Sequence, residues 1–147
     1  PLYDASKVLI AGCILRSFVD CAEVPGFCVP SPNERVLKVV FSPELGNSEN
    51  VTVLLSIVAP RTGTTGLHTH ESTEIMYVVG GRGIATIGDR TKEIGVDTVL
   101  VAGSRVLHEV KNKGDDTLKL VCFFVPALKP TENVKKAIEL ARDYFEK

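Results

Sequence analysis

Net charge is almost absent from this chain: 17 Lys and Arg stand against 18 Asp and Glu, leaving a formal charge of -1 over 147 residues. Such a surface exerts no long-range pull on phosphate backbones or anionic lipid, and nothing resembles a basic arm, since Lys135-Lys136 reads as a helix surface pair. Nucleic acid is therefore not an expected partner. No apolar run reaches the ~20 residues that cross a bilayer, so a membrane is not one either. Residues 8–15 are apolar, but only Lys7 precedes them and no small-residue cleavage site follows. They read as an ordered strand or edge element instead of a signal peptide. The start at Pro1 is most simply explained by loss of an initiator methionine. The four cysteines, Cys13, Cys21, Cys28 and Cys122, form no C-x-x-C pair and no zinc-finger spacing. Without a secretory signal the expectation is a cytoplasmic protein with reduced thiols, and a chain this long needs no disulfide staple among Cys13, Cys21 and Cys28.

Histidine is also scarce, and its three copies are concentrated: His68 and His70 share one short run, and His108 lies in Leu107-His108-Glu109-Val110. Imidazole is the commonest protein metal ligand. In an extended segment His-x-His places both rings on one face, because strand side chains alternate with period two. Glu74 has the same parity as His70 and can join them, whereas Glu71 has the opposite parity and should point away. His108 is the remaining histidine to complete the set. The expected metal site is His68, His70, Glu74 and His108.

The length fits one domain spanning residues 1–147, large enough to bury roughly two thirds of its unfolded surface. Between residues 36 and 125, short apolar runs are broken by Gly, Asn, Asp and Pro. They predict strands over 36–41, 51–59, 74–79, 83–87, 91–94, 97–101, 106–110 and 117–125, the pattern of an all-β sandwich or barrel. Gly88-Asp89-Arg90 and Lys113-Gly114-Asp115 read as hairpin turns. After Pro130-Thr131, the residues Val134, Ile138, Ala141 and Phe145 recur at helical spacing, predicting an amphipathic helix over about 131–146 that seals a barrel edge or packs on a partner subunit. The strands at 51–59 and 117–125 are apolar on both faces. One face is expected in the core and the other against a second copy, making a homodimer.

The ligand pattern resembles the cupin family. His68-Thr69-His70, Glu74 and Gly81, with Gly63 upstream, match its first motif. Gly95, Gly103, His108 and Asn112 follow the order of the second, departing from it in having Val101 where proline is usual and two extra residues between Gly103 and His108. The resemblance covers about residues 36–125. It implies a double-stranded β-helix of jelly-roll type, with the C-terminal helix appended, and a metal held inside the barrel. The glycines have a physical role of their own: Gly80-Gly81 and Gly88 allow positive φ, so the ligand strand is expected to reverse and pair with its neighbour. Asn112 is expected to hold a turn or support a ligand instead of binding metal.

Three imidazoles and one carboxylate suit one divalent Fe, Mn, Ni, Zn or Cu ion per chain. Four protein ligands leave an octahedral ion open positions, so the site leans catalytic. The residues that share the inward face, Met76, Val78, Val106, Val110, Leu118, Leu120, Cys122 and Phe124, bring few acids, bases or nucleophiles. No catalytic side chain beyond the ligands is assigned, and no organic cofactor is expected. Cys122 reads as an inert core thiol, and Arg35, Lys38, Arg61 and Tyr77 are candidate anchors for a small-molecule substrate. Metal-centred chemistry on a small organic molecule follows, with a dioxygenase favoured because an apolar lining excludes water. The alternatives are a metal-dependent isomerase, epimerase or lyase of a sugar or hydroxy acid, and a non-catalytic small-molecule-binding cupin.

Overall fold

Alternation of apolar and polar residues produces strands here because each strand must bury one face and wet the other. The computed structural model describes residues 18–147. The apolar stretch 8–15, Pro1 and Cys13 lie outside the described residues. In chain order the strands are β1 (Phe27–Val29), β2 (Arg35–Phe41), β3 (Thr52–Val58), β4 (Thr73–Gly80), β5 (Arg82–Ile87), β6 (Arg90–Gly95), β7 (Val99–Ala102), β8 (His108–Asn112) and β9 (Leu118–Val125), followed by helix α1 (Glu132–Phe145). Each strand predicted between residues 36 and 125 has its counterpart. The short β1 had no alternation long enough to announce it.

All pairings are antiparallel. The larger sheet runs β1-β2-β3-β9-β4-β7 and the smaller runs β6-β5-β8. The strands that follow one another in sequence mostly do not pair, as a double-stranded β-helix requires. Val39, Leu54, Met76 and Leu120 of the larger sheet share one buried cluster with Ala85, Ile94 and Val110 of the smaller. On β9 the inward residues are Leu118, Leu120, Cys122 and Phe124, all buried, as their parity predicts.

Two turn expectations are corrected. Gly88 does open a tight hairpin, at φ 60°, with Ile87 opposite Arg90. By contrast, Lys113-Gly114-Asp115 joins β8 to β9, which belong to different sheets, so it is a crossing and not a hairpin. The same holds at Gly80-Gly81, where the chain leaves β4 for β5 in the other sheet. Gly81 takes φ 82°, and a Cβ there would stand 2.3 Å from the Thr117 carbonyl oxygen. The chain can cross at this point because nothing projects from it.

Asn112 holds the second crossing, as a turn residue. Its Nδ2 donates to the carbonyls of Val58 (3.1 Å) and Asp116 (2.8 Å), and its Oδ1 accepts from the Gly114 N–H at 2.9 Å. Because the side chain is buried, Asn112→Ala leaves those backbone groups unpaired and is expected to cost about 2 kcal/mol in urea unfolding. An unchanged unfolding midpoint would show the turn is held by other means.

Helix α1 starts at Thr131, whose side chain accepts from the Val134 N–H. Val134, Ala137, Ile138 and Ala141 are buried against β1 and β2. Of the two placements expected for this helix, the structure therefore shows the barrel edge.

Candidate metal centre

The segment before β4 is where the histidines are positioned. It does not form the single ligand strand that the parity argument assumed. His68 makes an isolated bridge with His108, with backbone N–H to O distances of 3.1 and 3.0 Å, and His70 lies outside any strand. The physical reason is topological. The chain runs beside β8 of the smaller sheet at His68 and must reach the larger sheet at β4, so it cannot stay extended along one ladder. Gly66, at φ 76°, turns the chain between its two contacts with β8, at Thr64 and His68.

The four side chains nevertheless converge, and one ligand atom from each of His68, His70, Glu74 and His108 lies within 4.8 Å of all the others. Glu74 Oε2 is 2.9 Å from both His70 Nε2 and His108 Nε2. The expected extra length before His108 does not displace it. Arg105 takes φ 62° and donates its N–H to the His70 carbonyl at 2.8 Å, which folds the longer loop back over the site.

Each imidazole is oriented by its own backbone. His68 Nδ1 meets the Gly66 carbonyl at 2.7 Å, His70 Nδ1 the Ser72 carbonyl at 2.8 Å and His108 Nδ1 the Val106 carbonyl at 2.7 Å. A carbonyl only accepts, so Nδ1 must carry the proton and Nε2 of the neutral ring turns a lone pair inward. Three lone pairs and a carboxylate then face one point. Either the rings near Glu74 are doubly protonated or a cation sits among the four, and backbone-fixed Nδ1–H is the support that metal-binding histidines ordinarily have. The donor set fits a transition ion.

With no ion among the four, the rings facing Glu74 must instead carry a second proton on Nε2. Burial would push the Glu74 carboxyl up, but hydrogen bonds from His108 and His70 outweigh it and hold the group at about 2. The His108 imidazole is pushed down by burial, yet its bond to Glu74 leaves it raised overall, whereas burial lowers His68. The Cys122 thiol is driven well above its usual value by burial and by the charge of Glu74, so it stays protonated and non-nucleophilic.

The cluster sits in the wall of a cavity of about 560 Å³, lined also by Leu54, Met76, Leu120 and Phe124. Of the anchors expected from sequence, only Arg35 lines this cavity. Lys38 donates instead to the Cys21 and Ala22 carbonyls, Arg61 pairs with Asp115 at the surface, and the exposed Tyr77 hydroxyl donates to Asp97. Glu71 stays outside the converging cluster, with one oxygen 3.8 Å from Arg105 Nη2, although it borders the cavity rim. Ser56 was missed. It shares parity with Leu54 and Val58 on β3, a signal that the both-faces-apolar reading of that strand concealed. Cys21, Cys28 and Cys122 are free thiols.

The fold therefore carries, in the wall of its cavity, three histidines and one glutamate whose donor atoms are close enough together to hold a metal ion. The fold is that of small cupin-domain proteins, and the Cupin domain family model matches residues 54–124, just under half of the chain. An uncharacterized protein of Methanocaldococcus jannaschii is 30% identical over 74 residues, which are 50% of this chain and 59% of that protein. The match thus spans little more than half of that relative. A predicted oxalate decarboxylase of Thermotoga maritima superposes with TM-score 0.67 at 19% identity, covering 74% of this chain and 98% of its own. KdgF from a Halomonas species does so with TM-score 0.62 at 19% identity, covering 75% and 94%. An RmlC-like cupin of Shewanella frigidimarina gives TM-score 0.62 at 13% identity, covering 76% and 92%. At these identities the solved structures establish the fold. Among the described residues, no helix is long and apolar enough to cross a membrane.

Proposed function

We propose that the chain is a metal-binding cupin enzyme acting on a small organic molecule, with dioxygenase-type oxidation the favoured reaction. One observation carries this reading: His68, His70, Glu74 and His108 turn their donor atoms to one point in the wall of a substrate-sized cavity. When bound there, a divalent Fe, Mn, Ni, Zn or Cu ion would supply Lewis-acid or redox chemistry. The protein's part is to hold the ligands by their carbonyl-bonded Nδ1 atoms and to exclude water. Leu54, Met76, Leu120 and Phe124 form the apolar wall that does so. The protonated Cys122 thiol adds no competing nucleophile. A cytoplasmic setting is part of this reading, and the free thiols of Cys21 and Cys28 fit it.

A second reading has one observation in its favour. Glu71 is a carboxylate at the cavity rim outside the ligand set, where it could accept a substrate proton in an isomerase, epimerase or lyase acting on a sugar or hydroxy acid. Protein purified without chelator or nickel resin is expected to carry one transition ion per chain by elemental analysis. A preparation that takes up none would overturn both readings. Oxygen consumption by iron-loaded protein with diketones, thiols or hydroxy acids supports oxidation, and turnover that persists without oxygen in Mn- or Zn-loaded protein supports the second reading. Ligand binding with no turnover in either case would leave a non-catalytic binding module.

The homodimer is part of the proposal. On the outer face of the larger sheet Ile75 lies beside Val101 and Phe123, and Tyr77 beside Val99 and Val121. Val99 and Val101 are 55% and 54% exposed, an apolar face of the kind that a second copy covers. Light scattering after size exclusion is expected to give twice the chain mass at micromolar concentration. A single-chain mass would end this part.

A further inference from the structure

Two side chains in the same cavity are left without the partners that their chemistry requires. Arg35 opens β2, directly opposite Val58 of β3, and its guanidinium lines the cavity. Among the described residues its hydrogen bonding is confined to one N–H donated to the Asn33 carbonyl at 2.8 Å, and it joins no ion pair. Glu74 is close enough for its charge to be felt at Arg35, but its Oε2 is engaged by His70 and His108. A guanidinium has five N–H donors in a planar fork, so most of this one is unmatched.

Ser56 is the second. It is 3% exposed, lines the cavity, and its hydroxyl has no partner; it is the one buried side-chain polar atom in that condition among the described residues. Buried hydroxyls are ordinarily satisfied, and an orphan asks for an explanation. The register supplies it. Arg35 pairs with Val58, and Leu37 pairs with Ser56, so Arg35 and Ser56 are diagonal neighbours on the inward face, with Cα atoms about 7–8 Å apart. A carboxylate fits between a long guanidinium and a hydroxyl so placed.

Charge adds a second reason. Around a divalent ion, three neutral imidazoles and one carboxylate leave one positive charge; Arg35 and Lys129 add two more to the cavity lining and Glu71 at the rim offsets one. The lining therefore stays positive, which favours an anionic occupant.

We propose that Arg35 and Ser56 form an anion subsite that takes the carboxylate of a small oxygen-bearing acid, whose second oxygen reaches the metal centre; this rests on the metal-centre reading above. Arg35 provides charge and a planar fork, and Ser56 provides one donated hydrogen bond. One guanidinium and one hydroxyl match a carboxylate monoanion better than a phosphate dianion, which would leave acceptors unpaired.

The test is calorimetric titration of glycolate, with glycolamide as its neutral counterpart and inorganic phosphate as the rival anion, into zinc-loaded and chelator-treated protein. Wild type is expected to bind glycolate in preference to glycolamide and phosphate. Arg35→Gln is expected to weaken glycolate binding about tenfold or more while leaving glycolamide binding and zinc content unchanged. Ser56→Ala is expected to weaken glycolate several-fold without lowering the melting temperature, because it deletes an orphan hydroxyl. A merely structural serine would not separate those two readouts. If Arg35→Gln misfolds, Arg35→Lys and Ser56→Ala carry the test, with partial retention expected in the lysine variant. Equal glycolate binding by wild type and the Arg35 variant, or phosphate bound as tightly as glycolate, overturns the subsite. Zinc uptake with no dependence on Arg35 sinks the subsite and spares the metal centre. Arg35-dependent glycolate binding in a protein that takes up no zinc does the reverse.

Discussion

Glu74→Gln is expected to strip the protein of transition metal, lowering affinity by about two orders of magnitude or more, while the β-fold persists. Changes to groups that merely support a ligand already cost about 10–100-fold, and Glu74 is the sole anion in the donor set. The carboxamide has the same shape, and its NH₂ can donate to the inward Nε2 lone pair of His70 or His108, so the metal-free protein loses little. His70→Ala should also lose metal and keep its fold, because the interior that holds the barrel together is aliphatic. The checks are metal stoichiometry and circular dichroism on the same samples. Full metal content in Glu74→Gln would remove the carboxylate from the ligand set, and global unfolding of His70→Ala would make the ion structural.

Leu118→Ala is expected to be among the most damaging core changes, costing about 2–5 kcal/mol in denaturant unfolding. Leu118 is fully buried on β9, the strand between β3 and β4 in the larger sheet, and packs where Gly83 approaches from the smaller sheet. Its removal opens a void with no solvent access. Leu120 is equally buried one inward position along, but it lines the existing cavity. Space vacated there joins room already present, so Leu120→Ala should cost less and should instead disturb ligand binding. If the two variants unfold at the same denaturant concentration, the cavity does not extend to β9 as the structure has it.

Much of this architecture was legible before any coordinates, and unevenly so. Strand existence followed from period-two alternation between turn residues, and the C-terminal helix followed from Val134, Ile138, Ala141 and Phe145 at helical spacing. The converging cluster was legible because histidine is rare here and its copies share a pattern with Glu74. Strand partnership was not. Lys113-Gly114-Asp115 and Gly80-Gly81 have turn composition, yet both connect one sheet to the other, and nothing in a local tetrapeptide distinguishes a reversal from a crossing. The assumption of one ligand strand failed for a related reason: the chain leaves β8 after His68 to reach β4 in the other sheet, and His68 and His70 are turned toward one point by Nδ1 bonds to local carbonyls, not by pleat parity.

What the sequence by itself determined is the all-β class, the terminal helix and which four side chains would converge, since each depends on residue type and spacing. What only the tertiary structure decided is which strands neighbour one another, that Arg35 and Ser56 face the cavity while Lys38, Arg61 and Tyr77 do not, and that Asn112 ties two sheets together. Those outcomes depend on contacts between residues far apart in the chain, and their energies come from burial and partner geometry that no single segment contains.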